Sequence, residues 1–256
     1  MRACSAPMVG RFGAALVAVL FSAQVGAQTA APPNLTGSWE RYRGPDGDPY
    51  TPPPEATPPL RADLLAAWQA RRAADREADA RGEPLASGYT HCLPDGVPSM
   101  MSGPFPLEII HNDAQINITQ EAYSQNRRIY LGKPQVTLDD IELGFYGRSV
   151  GHWRAETLVV DTIGIKEYVR FRDAPHTRDM RITERLRLVT PDILWDEITI
   201  EDPAVLTRPW TVTFAYRRMP DYEIIEYVCE DNREYADERG ITRLRVGGSD
   251  KDADSQ

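Results

Sequence analysis

The stretch that decides the fold is Gly144-Phe-Tyr-Gly-Arg-Ser-Val-Gly-His-Trp-Arg-Ala-Glu-Thr-Leu-Val-Val-Asp-Thr162. Its three glycines interrupt an aromatic and polar run, as glycines do at bulges and close backbone approaches within strands. The β-branched and aliphatic run at 158–160 then forms the centre of a second strand. Residues 154–156 between the two halves are a short polar connection. The stretch therefore predicts two antiparallel strands joined as a hairpin.

Strand patterns continue on both sides of this hairpin. Residues 180–188 alternate between apolar and polar side chains, which is typical of a half-buried strand. Further strand patterns cover residues 35–40, 107–111, 116–120, 127–131, 195–201, 210–216 and 223–229. Strands that follow one another without helices between them predict a mainly β fold. Closure would remove exposed edges, so we expect a single antiparallel β-barrel of nine or ten strands.

One helix is predicted near residues 60–81, directly after Pro58 and Pro59. The segment is rich in Ala, Arg, Leu and Glu, which favour helix. Its few large apolar side chains fall on one face at helical spacing, and the remainder is charged. We expect this helix to pack outside the barrel or to cap it.

The amino terminus has the features of an export signal. Residues 1–27 combine two arginines, an apolar run at 12–21 and a small-residue cleavage site, so they predict a signal peptide. The apolar run is about half of the roughly twenty residues that span a bilayer. A leader at 28–33, a barrel domain at 34–246 and a disordered tail at 247–256 complete the predicted organisation. We expect a periplasmic or secreted protein without membrane insertion after cleavage.

The charge balance is acidic. The formal net charge is −9 for the full sequence and about −11 once Arg2 and Arg11 leave with the signal. Nucleic acids and anionic membrane surfaces are therefore not expected partners.

Two cysteines remain after cleavage, Cys92 and Cys229. In an oxidising compartment two cysteines most often form one disulfide. The alternative is a nucleophilic thiol, suggested by the neighbouring pair His91-Cys92.

Several motifs occur together along the chain. They are Cys-x-Pro-x-Gly-x-Pro at 92–98, Arg128-Ile-Tyr130, Gly151-His152-Trp153, Thr-Leu-Val-Val-Asp-Thr at 157–162, Thr183-Glu184-Arg185 and Glu226-Tyr-Val-Cys229. In combination they resemble a large family of exported bacterial proteins with a lipocalin-like β-barrel. The resemblance implies secretion, a barrel and a Cys92–Cys229 pair, and it implies no activity. Relatives carry Asp-Gly-Arg and His-Pro after the Ile-Tyr motif, where this chain has Leu131-Gly-Lys-Pro-Gln.

The candidate catalytic residues are centred on His152. Histidine is the usual acid or base near neutral pH, and Asp161, across the predicted hairpin, would orient it. The alternative is a histidine hydrogen-bonded within the sheet, because strand pairing alone does not distinguish inward from outward.

Two further candidates are His176, in a polar loop, and Glu184, on the same face of its strand as Ile182 and Leu186. A buried glutamate suits acid–base chemistry. The alternatives are a solvated loop histidine and a Glu184 paired with an arginine such as Arg128. Candidate substrate-binding residues are Arg128, Tyr130, Trp153 and Tyr123.

No metal or cofactor is expected, since the sequence has no local metal-ligand spacing and no phosphate or dinucleotide motif. The alternative is that the dispersed histidines, His91, His111, His152 and His176, converge on a metal in space. The leading hypothesis is a barrel enzyme that binds a small, partly apolar molecule. It would act by metal-independent acid–base chemistry, as an isomerase, lyase or hydrolase. The alternatives are a non-catalytic periplasmic carrier and a structural protein of the cell envelope. The sequence makes no prediction of the oligomeric state.

Overall fold

Nine strands close into one barrel in this computed structural model, which describes Met1 and residues 31–82, 92–229, 234–236 and 242–244. The strands are β1 Gly37–Tyr42, β2 Leu107–His111, β3 Gln115–Gln120, β4 Gln125–Leu131, β5 Arg148–Arg154, β6 Thr157–Ile163, β7 Arg181–Thr190, β8 Ile193–Glu201 and β9 Trp210–Met219. Two short strands, β10 Glu234–Ala236 and β11 Thr242–Leu244, pair with each other. The mainly β prediction is confirmed. The rest of the predicted signal peptide, the tail at 247–256 and His91 lie outside the described residues.

The barrel is mixed rather than purely antiparallel, which corrects the sequence prediction. Strand β4 pairs in parallel with β5, with Ile129 opposite Ser149, whereas every other neighbouring pair in the barrel is antiparallel. A parallel pair needs a long crossover connection. Residues 132–147 provide it, and Gln135 attaches it to the barrel by donating to the carbonyls of Arg148 and Asp161.

Alternate residues of the long strands point into the barrel. In β7 the buried positions are Ile182, Glu184 and Leu186, as the period-two pattern predicts. The predicted strand at 223–229 is not formed, because residues 222–228 are irregular. Their positions are set by other contacts: Glu121 accepts hydrogen bonds from the hydroxyl of Tyr222 and the backbone N–H of Ile225.

One end of the barrel, which we call the helix end, is where β3, β6 and β8 finish. Helix α1 (Ala62–Arg81) packs against the core there through Leu64, Leu65 and Trp68. The indole of Trp68 donates to the carbonyl of Arg172 at 2.8 Å. The helix thus lies where the sequence predicts a helix, with its charged face directed to solvent.

A plug segment at residues 96–102 closes the helix end. It contains the short helix α2 (Ser99–Ser102), and its Val97, Met100 and Met101 are buried. Gly96 has a φ of +69°, and a Cβ there would lie 2.4 Å from the carbonyl oxygen of Phe145, so the plug requires glycine. Side chains of the barrel bind the plug backbone: Gln120 donates to the carbonyl of Met100 at 2.7 Å.

A disulfide joins Cys92 to Cys229, which are 137 residues apart in sequence. It confirms the predicted pairing and replaces the alternative of a free Cys92 thiol. The bond connects the segment that leads into the plug with the segment that follows β9. No helix in the described part of the chain is long and apolar enough to cross a membrane.

Candidate functional site

His152 and Asp161 lie on the outer face of the barrel, not in the lumen. In the β5–β6 register His152 is opposite Val159, and Asp161 is opposite Val150. His152 is exposed and accepts a hydrogen bond from Arg154 at 3.0 Å, while the nearest cation to Asp161 is Arg181 at 3.9 Å. In the described part of the chain no hydrogen bond or ion pair joins His152 to Asp161, so the predicted catalytic pair is not formed.

His176 lies in the loop between β6 and β7 at the helix end. Its Nδ1 is 2.8 Å from the carbonyl oxygen of Thr177, and its Nε2 is 2.7 Å from that of Val169. Both ring nitrogens are therefore engaged with backbone. The adjacent void of about 20 Å³ has room for about one water molecule. This geometry indicates a histidine that braces the loop.

Glu184 is fully buried in the lumen and pairs with Arg127. Arg127 Nη1 donates to Glu184 Oε1 at 2.7 Å, and its Nη2 donates to Oε2. Nε of Arg127 also contacts the hydroxyl of Ser149, and its Nη2 contacts the hydroxyls of Ser149 and Thr162. The alternative of an ion-paired Glu184 is thus realised, although with Arg127 instead of Arg128, which is exposed on the outer face. This network resembles a structural brace more than a vacant catalytic site.

Asp196 is a second carboxyl group in the lumen, and the sequence analysis missed it. It is 0% exposed, and neither of its oxygens has a hydrogen-bond partner. Burial raises the pKa of Asp196 well above its ordinary value, and the Glu184 carboxylate adds to this, while Arg127 and Arg41 oppose it. The sequence signal for its burial was its place in β8, two residues from each of the inward-pointing Leu194 and Ile198.

The four predicted substrate-binding residues do not come together. Arg128 and Tyr130 are on β4, where Tyr130 has Lys133 and Arg148 near its ring at 4.9 and 5.1 Å. Trp153 packs against the core and against His111, with ring centroids 5.6 Å apart. Tyr123 lies in the short turn Ala122–Ser124 that precedes β4, with its ring 5.2 Å from that of Tyr227. The four side chains therefore do not form one binding surface.

A cavity of about 650 Å³ lies outside the lumen at the helix end. Helix α1, the plug segment with the residues before it, and the loop at 167–173 line it. Its charged lining residues are Arg71, Arg72, Arg170, Arg172, Asp95, Glu167 and Asp173. Its apolar wall consists of Leu93, Pro94, Tyr168 and Val169. Sequence analysis missed this site because the three segments are far apart in the chain and none carries a local motif.

Ion pairs and a tight turn shape the cavity rim. Arg72 contacts Asp173 at 2.8 Å, and Arg172 makes two hydrogen bonds to Glu55, at 2.7 and 2.8 Å. Both Arg172 and Asp173 have positive φ, at 52° and 60°. Non-glycine residues in this region are strained, and such strain is common at functional sites. The turn at the rim therefore carries backbone strain at two charged residues.

The cavity offers guanidinium donors, carboxylate acceptors and an apolar wall. Over the described ranges, no group of three or more His, Cys, Asp and Glu side chains could hold a metal ion.

Comparison with known proteins does not identify a family for this chain. No protein-family model and no curated protein matches this chain.

Proposed function

We propose that this protein is an exported, lipocalin-like binding protein that carries a small, partly apolar molecule. The ligand site is the cavity at the helix end of the barrel, outside the lumen.

The observation that carries this proposal is the cavity itself. Ligand pockets typically measure about 300–1,000 Å³ and combine apolar walls with a few placed polar groups. The cavity volume of about 650 Å³ falls within this range. Tyr168, which is 53% exposed, contributes a large aromatic surface that no other described side chain covers fully.

The lipocalin-like assignment is supported by the opposite end of the barrel, where β1 begins and β9 finishes. Trp39 is fully buried there, and its indole donates to the carbonyl of Leu35 at 3.0 Å. The Arg218 guanidinium lies 4.1 Å from the centre of the Trp39 ring and donates to the carbonyl of Thr36. Gly37-Ser38-Trp39 at the start of the first strand resembles the opening of lipocalin-type barrels, in which a tryptophan closes one end of the barrel.

Binding is favoured over acid–base catalysis by the placement of the candidate groups. Catalysis as predicted requires His152, His176 and Glu184 beside one substrate. In the structure His152 lies on the outer face of the barrel, His176 lies in the loop between β6 and β7, and Glu184 lies in the lumen. Both oxygens of Glu184 already accept from Arg127.

Export remains a proposal based on residues 1–27, and the Cys92–Cys229 disulfide is compatible with it. A disulfide of this kind persists in the periplasm or outside the cell.

The test is a fluorescence titration with 8-anilinonaphthalene-1-sulfonate, a small aromatic anion. We expect saturable binding at one site. Tyr168→Ala removes part of the apolar wall and should weaken binding roughly three- to tenfold, given the area of a tyrosine ring. The matched control is Tyr50→Ala, because Tyr50 is also exposed but does not line the cavity.

Equal weakening by both tyrosine variants would indicate a nonspecific effect and would contradict the proposal. Unchanged binding by Tyr168→Ala, or no saturable binding to the wild-type protein, would contradict it as well.

A further inference from the structure

The arginines of the cavity differ in whether they already have partners. Arg71 contacts Asp75 at 2.9 Å, one helical turn away. Arg72 contacts Asp173 at 2.8 Å, and Arg172 contacts Glu55 through two hydrogen bonds. Three of the four guanidinium groups are thus engaged by carboxylates of the protein.

Arg170 is the exception. Its side chain is exposed and lines the cavity, and its guanidinium makes no hydrogen bond or ion pair with any residue in the described part of the chain. An arginine side chain presents five donors in a planar fork that matches a carboxylate. Arg170 therefore has its full donor set available for a ligand.

The backbone of Arg170 is well fixed. The flanking side chains, Val169 and Phe171, are buried in the core with 3% and 4% exposure. The hydroxyl of Ser99 in the plug donates to the carbonyl of Arg170 at 3.2 Å. These contacts fix where the Arg170 side chain leaves the backbone, so that it extends from the cavity wall.

The charge of the lining indicates how many acidic groups the ligand carries. Asp75, Asp173 and Glu55 already offset the charges of Arg71, Arg72 and Arg172. Among the described residues this leaves Arg170 as the one guanidinium of the lining that a single acidic group of a ligand would pair with. Glu167 is three residues before Arg170, and it would repel a second acidic group placed beside the first. The apolar wall of Leu93, Pro94 and Tyr168 would then hold an uncharged body.

We infer that Arg170 binds the single acidic group of the ligand, which makes the cavity a site for small monocarboxylates with an apolar or aromatic body. This inference rests on the proposed function. It adds the chemical class of the ligand and the residue that selects it.

The experiment compares benzoate with benzamide, which share a ring and differ in charge, by titration calorimetry. The wild-type protein should bind benzoate more tightly than benzamide. Arg170→Gln should weaken benzoate binding roughly tenfold or more, as expected for a lost charge-assisted pair, and should leave benzamide unchanged. The matched control is Arg208→Gln, an exposed arginine at the same end that does not line the cavity.

Four results would overturn the inference: equal affinity for both compounds, unchanged benzoate affinity in Arg170→Gln, equal losses in both arginine variants, or no binding of benzoate. Each leaves the result of the 8-anilinonaphthalene-1-sulfonate titration with Tyr168→Ala standing. Failure of the ligand class is thus distinguished from failure of the cavity as a binding site.

Discussion

Two regions of this molecule contain arginine–carboxylate pairs, and they differ in burial. In the lumen, the Arg127 and Glu184 side chains are both 0% exposed, and each of the three guanidinium nitrogens of Arg127 makes a hydrogen bond. At the cavity rim, the Arg172 and Glu55 side chains are 38% and 32% exposed. The same arginine–glutamate pairing thus occurs once away from solvent and once in contact with it.

The difference assigns different roles to the two regions. A buried pair is costly to break, because the remaining charge has neither water nor a partner. An exposed pair contributes little to stability and exchanges readily with solvent or ligand. We therefore expect substitutions in the lumen to change the free energy of unfolding, and substitutions at the cavity to change binding.

The largest effect is expected for Glu184→Gln. The substitution leaves the Arg127 guanidinium buried without the carboxylate that it hydrogen-bonds, so the free energy of unfolding should fall by about 3–5 kcal/mol. Urea denaturation measures it. The double variant Arg127→Leu with Glu184→Leu removes both charges and should recover part of the loss. A Glu184→Gln protein as stable as the wild type would contradict the structural role of the lumen pair.

Asp196 gives an intermediate effect that depends on pH. Burial, followed by the Glu184 carboxylate, raises the pKa of Asp196 well above its ordinary value of 3.8. The unfolded chain loses this proton near pH 4, whereas the folded barrel retains it. Stability should therefore fall as the pH rises from about 4 towards the raised pKa, by at most about 1.4 kcal/mol per pH unit.

Thermal melts of Asp196→Asn across this pH range test the effect, because the stability of this variant should not fall as the pH rises. The control is Asp161→Asn on the outer face, whose stability should still fall as that of the wild type does. A decline of equal slope in wild type and Asp196→Asn would show that other groups cause it.

The smallest effect on stability is expected for Arg172→Gln at the rim. Its pair with Glu55 is partly exposed, so the loss should be about 0.2–1 kcal/mol in the same urea assay. A loss as large as that of Glu184→Gln would remove the distinction between the two regions.

The sequence predicts the barrel well because period-two patterns are local. Residues 180–188 and 210–216 show which side chains enter the lumen, including Glu184. The parallel pairing of β4 with β5 was not predictable in this way, since residues 132–147 carry no strand pattern that indicates where the crossover leads.

The site was predicted less well than the fold. His152 points outward because Gly151 takes the inward position, where a Cβ would lie only 2.8 Å from Ile129 and 3.1 Å from Leu131. Successive side chains of a strand point to opposite faces, so Arg127 enters the lumen whereas its neighbour Arg128 lies on the outer face. The cavity depends on the tertiary placement of α1, the plug segment and the loop at 167–173, which no local pattern encodes.

The most direct test of the central claim is a map of where a ligand binds. Benzoate is titrated into ¹⁵N-labelled protein, and amide chemical shifts are followed. We expect the saturable shifts to concentrate at Tyr168, Arg170, Leu93 and Ser99, with the amides of Glu184, Asp196 and His152 unchanged. Largest shifts in the lumen strands β7 and β8, or around His152, would contradict the account.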